Sequence, residues 1–455
     1  MNEHDSLDYN RRDFLKGGSL AALMTMLGGV ELFANADVTP PNPAATGPKL
    51  KIAVIGLGAW GREIISTLVL VPELELVAIC DNYPAFLRRA SKDAPGATQT
   101  EDYKTILANA DIKAVVVATP THKHKDIVLA ALAAGKHVYC EAPLANSIED
   151  AKAIALAARD AKRVMFQAGF QMRSDPQRKF LMPFIRSGAL GQIVMARAQW
   201  HKKQSWRTTS PNPAREKELN WRLDQSTSLG LIGEIGSHQL DQAAWFMNAF
   251  PKAVNGFGSV AFYKDDGRDV ADTVQAVLEF PNGARMIYDA TLANSFDAGY
   301  EMIYGSGAAV MLRGSKAWMF QESDAILGGW EVYASKEKIL DETGIILKAG
   351  ASKSAQATTT PTPTELIMST PLFFALQNFA RNASDLSTTE AAFKAAYGED
   401  DKEGLLEQLG TVYKQRRSSA GYLEGYQATV TAIKANEAIV QGKRLELKPE
   451  LYELT

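Results

Sequence analysis

The hydrophobic pattern of the first third of the chain predicts short buried strands that alternate with helices. Apolar, β-branched runs end at Gly56, Asp81 and Thr119. Two further runs end at Glu141 and Ala168, and helical patterns separate the runs from one another. This alternation is typical of a doubly wound parallel sheet, which binds its ligands at the carboxyl ends of the strands.

The pattern changes near Arg173 and predicts a second domain. Asp175-Pro176 begins a helix that Gly188 ends, and residues 192–200 have the pattern of a strand. Asn282-Gly283 predicts a hairpin between two alternating runs. We expect an α+β domain with a mostly antiparallel sheet.

The C-terminal part of the chain differs again in composition. Residues 351–364 are rich in Ser, Thr and Pro, which predicts a solvated loop. The remainder has helical patterns and ends in a long amphipathic helix at residues 421–441.

A glycine pattern follows the first strand and predicts a dinucleotide site. An apolar run passes through G-x-G-x-x-G directly into a helical pattern, and Asp81 follows about twenty residues later. The positions of the pattern, which we expect to bind the pyrophosphate, are Gly56, Leu57, Gly58, Ala59, Trp60 and Gly61. An acid at Asp81 accepts hydrogen bonds from ribose hydroxyls and repels a 2′-phosphate, which favours NAD over NADP. The alternative is that Asp81 is only a turn residue at the end of a strand.

Composition excludes several classes of protein. The chain has 455 residues, of which 46% are hydrophobic and 22% charged, an ordinary globular composition that allows two or more domains. The formal net charge of -3 gives no indication of a nucleic-acid partner. Cys80 and Cys140 lie in apolar runs, and the six histidines lack zinc-ligand spacing with them. We therefore predict buried thiols, and neither a disulfide nor a metal site.

Residues 1–36 have the pattern of a twin-arginine export signal. Arg11-Arg12 precedes an apolar stretch at residues 20–33, and Ala34-Asn35-Ala36 has the small-x-small pattern of a cleavage site. The alternative is an uncleaved anchor, but the stretch is short and contains Glu31. We expect a periplasmic protein without a membrane span after cleavage. This route carries folded proteins, so the nucleotide would be bound before export and retained.

Four stretches occur in the order and spacing of one family. They are GLGAWG at 56–61, TPTHKH at 119–124, AGKHVYCEAPL at 134–144 and GSHQLD at 236–241. Together they resemble the glucose-fructose oxidoreductase / inositol dehydrogenase / MocA family, called Gfo/Idh/MocA.

The resemblance implies the organisation of the chain after the signal peptide. A linker at residues 37–48 precedes a Rossmann domain at 49–172 and a substrate and oligomerisation domain at 173–455. The family fold implies that the sheet of the second domain is open and forms a subunit contact, so we expect a homo-oligomer, either a dimer or a tetramer. The last helix is expected to pack back on the Rossmann domain.

The resemblance also implies further contacts with the cofactor. The candidates are Thr119, Pro120, His124, Glu141 and Pro143. The family usually has Glu-Lys-Pro where this chain has Ala142 between the glutamate and the proline, and that lysine normally assists proton transfer. An alanine neither donates nor accepts a proton. His124 is otherwise a helix-start residue, and Pro143, expected to keep the family's cis peptide, is otherwise a plain turn residue.

Three residues form the candidate catalytic group. Glu234, His238 and Asp241 fall at i, i+4 and i+7, which predicts one stripe on a helix. A histidine can take a hydroxyl proton, and a neighbouring carboxylate would orient its ring and favour its protonated form. Periodicity alone favours a solvated Glu–His surface pair. The resemblance instead implies that His238 is the catalytic histidine and that Glu234 replaces the family's usual aspartate.

The segment at residues 201–222 interleaves aromatic and basic side chains. Trp206, Arg207, Trp221 and Arg222 suit a carbohydrate pocket, in which rings stack on sugars and planar donors bind hydroxyls. The same composition suits a subunit interface. Gln171 and Arg173, at the domain junction, are further pocket candidates.

These observations support three hypotheses of function. The first is an exported NAD-dependent oxidoreductase that acts on a sugar or polyol hydroxyl. The second is a redox-neutral, NAD-dependent glycoside hydrolase or lyase, which Ala142 motivates because glycosidase branches of the family also lack the lysine. The third is a cofactor-binding protein without turnover.

Overall fold

The structure is a computed structural model that describes residues 48–314, 316–322, 335–339, 342–349 and 362–454. The predicted signal peptide, nearly all of the predicted linker and most of the predicted Ser/Thr/Pro-rich loop lie outside the described residues.

A six-stranded parallel sheet forms the core of the first domain. Its strands are β1 (Leu50–Ile55), β2 (Leu74–Cys80), β3 (Thr98–Thr100), β4 (Ala114–Val117), β5 (His137–Cys140) and β6 (Phe166–Ala168). Their order is β3-β2-β1-β4-β5-β6, and each neighbouring pair is parallel. The order changes direction between β1 and β4, which places a ligand crevice at the carboxyl ends of these strands. The predicted doubly wound sheet is confirmed.

Helices connect these strands and begin at polar caps. They are α1 (Ala59–Leu68), α2 (Pro84–Ala90), α3 (Tyr103–Ala108), α4 (His124–Ala133) and α5 (Ile148–Asp160). The Asp102 side chain accepts the Lys104 N–H at the start of α3, and Ser147 accepts the Asp150 N–H at the start of α5. Such caps satisfy backbone donors that a helix leaves free.

A ten-stranded sheet forms the second domain. Its strands are β7 (Ile193–His201), β8 (Ala253–Ser259), β9 (Thr273–Glu279), β10 (Arg285–Thr291), β11 (Gly299–Gly305), β12 (Ala308–Arg313), β13 (Lys316–Gln321), β14 (Ser335–Ile339), β15 (Glu342–Ala349) and β16 (Leu445–Glu446). Their order is β14-β15-β13-β12-β11-β7-β10-β9-β8-β16. The β9–β10 hairpin is antiparallel, as Asn282-Gly283 predicts, and β7 with β10 is a parallel pair. The predicted mostly antiparallel sheet is confirmed.

Eight helices complete the described part of the second domain. They are α6 (Pro176–Arg186), α7 (Pro213–Leu219), α8 (Gly230–Glu234), α9 (Ser237–Met247), α10 (Pro363–Met368), α11 (Pro371–Tyr397), α12 (Lys402–Lys414) and α13 (Tyr422–Gln441). The loop predicted to reach residue 364 ends earlier. Thr362 and Glu365 form a capping box, which satisfies the first backbone donors of α10 and starts the helix at Pro363.

Two long C-terminal helices pack on the first domain. The buried side chains of α11, such as Leu376 and Phe379, share a hydrophobic core with Ile52 and Val54 of β1. α13 lies between the domains and contacts both α5 and β8. The carboxyl ends of the Rossmann strands consequently face residues of the second domain.

Candidate active site

The loop between β1 and α1 holds the glycine pattern, and its three glycines have different surroundings. Gly56 has φ +99°, and a Cβ atom there would lie 2.5 Å from the carbonyl group of Ala118. A Cβ atom at Gly61 would lie 2.0 Å from the Gly56 carbonyl oxygen. A Cβ atom at Gly58 would meet no atom of the described residues within 4 Å. The fold therefore requires Gly56 and Gly61, whereas the space beside Gly58 is open to a ligand.

The carboxylate of Asp81 lies at the end of β2, beside the glycine loop. Its Oδ2 accepts the Leu57 N–H at 2.7 Å, and its Oδ1 accepts the Tyr83 N–H at 2.8 Å. Burial raises the pKa of Asp81, and both amides and the Arg215 cation oppose that effect. Asp81 thus makes the turn contact, and each of its oxygens keeps a lone pair for a ribose hydroxyl. The ribose contact stays a prediction.

The residues around this loop fit a dinucleotide. Ala59 and Trp60 form the start of α1, which carries no side-chain cap and no acidic residue in its first turn. Its N-terminal amides are therefore suited to a pyrophosphate. Thr119 Oγ1 is buried without a hydrogen-bond partner among the described residues. The backbone N of Thr119 would lie 2.6 Å from a Cβ atom at Gly56, so this residue borders the glycine loop.

His124 joins the loops that follow β4 and β5. Its Nε2 lies 2.8 Å from the Thr119 carbonyl oxygen and its Nδ1 lies 3.1 Å from the Pro143 carbonyl oxygen. Burial lowers the pKa of His124 to about 4, so the ring is neutral at pH 7. Pro120 precedes a short 3₁₀ helix that leads into α4, and the Ala142–Pro143 peptide bond is cis, as the resemblance implies. His124 is therefore more than a helix-start residue, since it positions two loops at the crevice.

Glu141 is a buried carboxyl group at the end of β5. Its Oε2 accepts the Ala142 N–H at 3.3 Å, and its Oε1 has no hydrogen-bond partner within the described part of the chain. Burial raises the pKa of Glu141 to about 7, and hydrogen bonding by Trp60 and Ala142 only partly opposes this. Glu141 therefore holds its proton up to about neutral pH.

His238 lies near the start of α9, and adjacent residues of the loop after β6 contact its ring and Glu141. Its ring centroid is 5.6 Å from that of Phe170, and a Cβ atom at Gly169 would lie 2.7 Å from Glu141 Oε2. His238 Nδ1 is buried and has no partner among the described residues. Burial lowers the pKa of His238 to about 4, so its ring is neutral and able to accept a proton.

The predicted stripe of Glu234, His238 and Asp241 on one helix is wrong. α8 ends at Glu234, and α9 begins at Ser237. The chain bends between them because Gly236 packs against Tyr288, where a Cβ atom would lie 2.7 Å from the Tyr288 hydroxyl oxygen. A side chain at this position would collide with the ring, so tertiary packing overrides the helical period.

Both predicted carboxylates bind groups other than His238. Glu234 accepts the Thr121 hydroxyl at 2.9 Å and the Leu229 N–H at 3.0 Å. Asp241 binds Arg173, whose Nε and Nη2 lie 2.9 and 2.8 Å from its two oxygens. The prediction that a carboxylate favours protonated His238 is therefore wrong, because burial without an acidic neighbour lowers the pKa of the ring.

Arg222 lies between two indole rings. Its guanidinium carbon is 5.6 Å from the centroid of Trp206 and 5.0 Å from that of Trp221. Trp206 has φ +63°, a strained conformation for a tryptophan. The Trp221 ring lies 6.0 Å from the ring of His122, in the loop after β4. The structure therefore brings three of the four predicted pocket residues of this segment together at the crevice.

The remaining pocket candidates divide into two groups. Arg207 binds the Asp266 carbonyl oxygen at 2.6 Å and the side chain of Glu216, which ties it to its own segment. Arg173 forms an ion pair with Asp241, and only one tenth of the arginine side chain is exposed. Gln171 keeps a buried Oε1 without a partner among the described residues. Gln171 therefore retains a free polar atom, whereas both arginines are already paired.

Several residues at the crevice were not predicted from the sequence. Asn82 and Tyr83 follow Asp81 and contact Arg215 of α7, which is more than 130 residues away in the chain. His122, which was not among the predicted site residues, packs on Trp221. Asn82 could have been proposed because it directly follows Asp81, the acid at the end of β2. No feature of the sequence indicated that Arg215 would lie there.

The described residues contain neither a membrane-spanning helix nor a cluster of metal ligands. No helix there is long and apolar enough to cross a bilayer. No group of three or more His, Cys, Asp or Glu residues there is arranged to hold a metal ion.

A parallel Rossmann sheet with an open glycine loop, followed by a domain that supplies a buried histidine whose Nδ1 has no partner among the described residues, defines a dinucleotide-dependent oxidoreductase. Comparison with known proteins agrees. Residues 50–170 match the family model described as "Oxidoreductase family, NAD-binding Rossmann fold", and residues 181–318 match the GFO/IDH/MocA C-terminal domain. The chain belongs to the Gfo/Idh/MocA oxidoreductase family, and the prediction of an NAD-binding domain is confirmed.

Similar curated proteins are sugar and polyol dehydrogenases. Levoglucosan dehydrogenase of Pseudarthrobacter phenanthrenivorans is 30% identical over 234 residues, which are 47% of this chain and 58% of that protein. Myo-inositol 2-dehydrogenase of Thermotoga maritima is 28% identical over 276 residues, which are 60% of this chain and 75% of that protein. The match to the first relative thus spans less than two thirds of its length.

Solved structures share the fold over most of the chain. Levoglucosan dehydrogenase in complex with NADH and levoglucosan has a TM-score of 0.64 at 21% identity, covering 88% of this chain and 99% of that chain. A probable dehydrogenase from Thermotoga maritima has a TM-score of 0.59 at 19% identity, covering 87% and 98% respectively.

Proposed function

We propose that the protein is an NAD-dependent dehydrogenase that oxidises a hydroxyl group of a sugar or polyol. One observation carries the proposal: the neutral ring of His238, whose Nδ1 has no partner in the described part of the chain, packs on Phe170 just after β6 of the Rossmann sheet. The named activities of the curated relatives support this substrate class. Asp81 at the ribose position favours NAD over NADP.

The residues of the chain divide the work of such a reaction. When bound, NAD supplies the hydride acceptor for the substrate carbon. His238 takes the hydroxyl proton, because its lowered pKa keeps the ring unprotonated at neutral pH. Arg222 and the indoles of Trp206 and Trp221 offer hydrogen-bond donors and apolar faces for a sugar ring. Thr121 and Glu234 hold the two domains in register beside them.

Nucleotide-dependent turnover tests this proposal. Purified protein with NAD and a panel of sugars and polyols is expected to form NADH, and His238→Gln is expected to lower kcat by about 10²- to 10⁴-fold. His201→Gln is the matched control, since this histidine binds Asp289 on the second sheet. Unchanged turnover in His238→Gln would identify a different base. NAD binding without any turnover would instead support a non-catalytic protein.

A redox-neutral glycoside hydrolase or lyase is the second candidate. The specific observation is Ala142 in place of the family's lysine, beside the unpaired Oε1 of Glu141. Oxidation of a ring hydroxyl to a ketone acidifies the neighbouring C–H, which permits loss of the glycosidic oxygen before hydride returns to the ring. Release of the aglycone without net NADH supports this candidate, and stoichiometric NADH from intact glycosides excludes it.

We also propose that the protein is exported by the twin-arginine route. Arg11-Arg12 and the apolar stretch that follows support this, and the cleavage pattern ends at Ala36. In cells, a double change of Arg11→Lys and Arg12→Lys is expected to leave the protein in the cytoplasm, whereas Lys16→Arg is not. The mature protein is expected to begin at Asp37. A periplasmic double variant would refute this route.

The outer face of the second sheet is our proposed subunit contact. Val277 and Ile287 are directly opposite each other on β9 and β10, and 38% and 39% of their surfaces are exposed. Phe257 on β8 is 66% exposed nearby. Apolar side chains on one sheet face are typical of a protein interface. Light scattering is expected to show a dimer or tetramer.

A further inference from the structure

A segment of the second domain crosses the crevice of the first. We call residues 202–228, between β7 and α8, the strap. Its ends are fixed to the second domain, because Arg207 Nη1 binds the Asp266 carbonyl oxygen at 2.6 Å and the Gln225 N–H binds Asp269 at 2.8 Å. The strap therefore has a defined position although it contains only short helices.

The strap also has internal bonds that hold its shape. The Thr208 N–H donates to Asn220 Oδ1 at 2.7 Å, and Asn220 Nδ2 donates back to the Thr208 carbonyl oxygen at 2.8 Å. The Ser210 N–H donates to Glu216 Oε2 at 3.0 Å. These hydrogen bonds join the residues before α7 to the helix and to the residue that follows it. They therefore hold α7 in a fixed position within the strap.

The strap contacts the first domain at the carboxyl ends of three strands. After β2, Arg215 binds Asn82. After β4, the ring of His122 packs on Trp221 at 6.0 Å, and after β5, Asn146 Nδ2 donates to the Ser226 carbonyl oxygen at 3.2 Å. A dinucleotide lies along this edge in a Rossmann sheet. The strap consequently runs across the binding site from the adenosine end to the substrate end.

Arg215 makes the contact at the adenosine end. Its Nη1 and Nη2 donate to the side-chain and main-chain oxygens of Asn82, both at 3.1 Å. Its guanidinium lies 5.2 Å from the Tyr83 ring centroid, and its Nη1 pairs with Glu218 at 2.7 Å. A planar guanidinium suits this combination of two parallel hydrogen bonds and stacking. All of these contacts are adjacent to Asp81, the predicted ribose acceptor.

We propose that the strap closes over bound NAD and that Arg215 is the latch that positions it, so the cofactor exchanges slowly and is retained between turnovers. A nucleotide beneath the strap can leave only after the Arg215–Asn82 contact opens. The inference depends on NAD binding, which the family match establishes, and not on the identity of the substrate.

Nucleotide exchange kinetics test the latch. Full-length protein is loaded with NADH, and release is followed by loss of bound-nucleotide fluorescence after addition of excess NAD. Arg215→Ala removes the whole contact and is expected to speed release by about tenfold or more. Asn82→Ala removes only the hydrogen bond to the side-chain oxygen and is expected to speed release by about threefold or more. Lys217→Ala is the matched control, because this cation is exposed on the same helix, and its release rate is expected to stay within about twofold.

Association rates separate a latch from an ordinary contact. A strap that obstructs the site slows entry as well as exit, so both latch variants are expected to bind NADH faster as well. Faster release with unchanged association would make Arg215 a simple cofactor contact and would overturn the proposal. Release within about twofold of the parent protein in both variants would also overturn it.

Two measurements keep the result independent of folding and of turnover. Circular dichroism and thermal midpoints are expected to match the parent protein, since the contact lies at the surface; if one variant misfolds, the other still tests the latch. A protein that binds and releases NADH slowly but oxidises no sugar would refute the proposed dehydrogenase and support the strap. Rapid exchange in the parent protein would refute the strap and leave the dehydrogenase proposal intact.

Discussion

Replacing Glu141 with glutamine tests whether the carboxyl group at the end of β5 is held without its charge. Burial raises the pKa of Glu141 from 4.5 to about 7. At about 1.4 kcal/mol per pH unit, this difference corresponds to about 3 kcal/mol of folding free energy. Glu141→Gln removes the ionisable group and nearly preserves its shape.

The sign of the effect follows from the order of ionisation. Below about pH 4.5 the carboxyl group is protonated in both states and the pH has no effect through it. As the pH rises, the unfolded chain ionises first, so folding of the parent protein becomes less favourable until the folded carboxyl ionises near pH 7. The stability advantage of Glu141→Gln is therefore expected to grow from about pH 4.5 to about pH 7 and then to level off.

Urea unfolding of nucleotide-free protein measures this advantage at several pH values. The difference between Glu141→Gln and the parent protein is expected to change by about 3 kcal/mol between about pH 4.5 and about pH 8. Only the change of this stability difference with pH is compared. The glutamine amide also adds a difference that does not depend on pH, because its nitrogen or oxygen replaces Glu141 Oε1, which has no partner among the described residues. The exposed Glu101→Gln is the control, expected to change stability by less than about 0.5 kcal/mol. A difference that is flat with pH would refute the reasoning.

Three further predictions concern the glycine loop, a buried ion pair and the sheet face. Gly58→Ala is expected to weaken NAD binding at least about tenfold in calorimetry but to change the unfolding free energy by less than about 1 kcal/mol. Gly56→Ala is expected to destabilise the fold itself by about 2 kcal/mol or more. Asp241→Ala is expected to cost about 3–5 kcal/mol in urea unfolding, because it removes the carboxylate that binds the buried Arg173 cation. Asp385→Ala, which breaks an exposed ion pair, is expected to cost less than about 1 kcal/mol. Val277→Lys is expected to reduce the oligomer mass in light scattering, and an unchanged mass would exclude this face as the contact.

Features with local causes could be predicted from the sequence. The strand at residues 74–80 and the hairpin at Asn282-Gly283 form as expected, because apolar runs and turn residues act within a few positions. The glycine loop could be predicted because its pattern occupies six consecutive positions, although the contact that requires Gly56 is with Ala118, after β4. The fold class and the cofactor site therefore follow from short stretches of sequence.

Side-chain partners across the fold could not be predicted in this way. Asp241 has the spacing to share a helix face with Glu234, but its carboxylate binds Arg173, which is 68 residues away. The contact between Gly236 and Tyr288 decides where the helix breaks, and no periodic pattern records a contact between a helix and a strand. Arg215 and Asn82 meet for the same reason, through the placement of the strap.

The absence of a lysine at position 142 and the burial of Glu141 are parts of one arrangement. No cation lowers the pKa of Glu141, so burial dominates and the carboxyl group keeps its proton up to about pH 7. His238 lacks an acidic neighbour, so burial lowers the pKa of its ring to about 4. Between these values one group is a neutral acid and the other a neutral base. Gly169 packs against Glu141, and the next residue, Phe170, packs against His238. Environments that push two pKa values apart in this way are typical of acid and base pairs. A lysine at position 142 would place a cation beside Glu141 and favour its ionised form against the effect of burial, so the alanine there is consistent with a carboxyl group that keeps its proton.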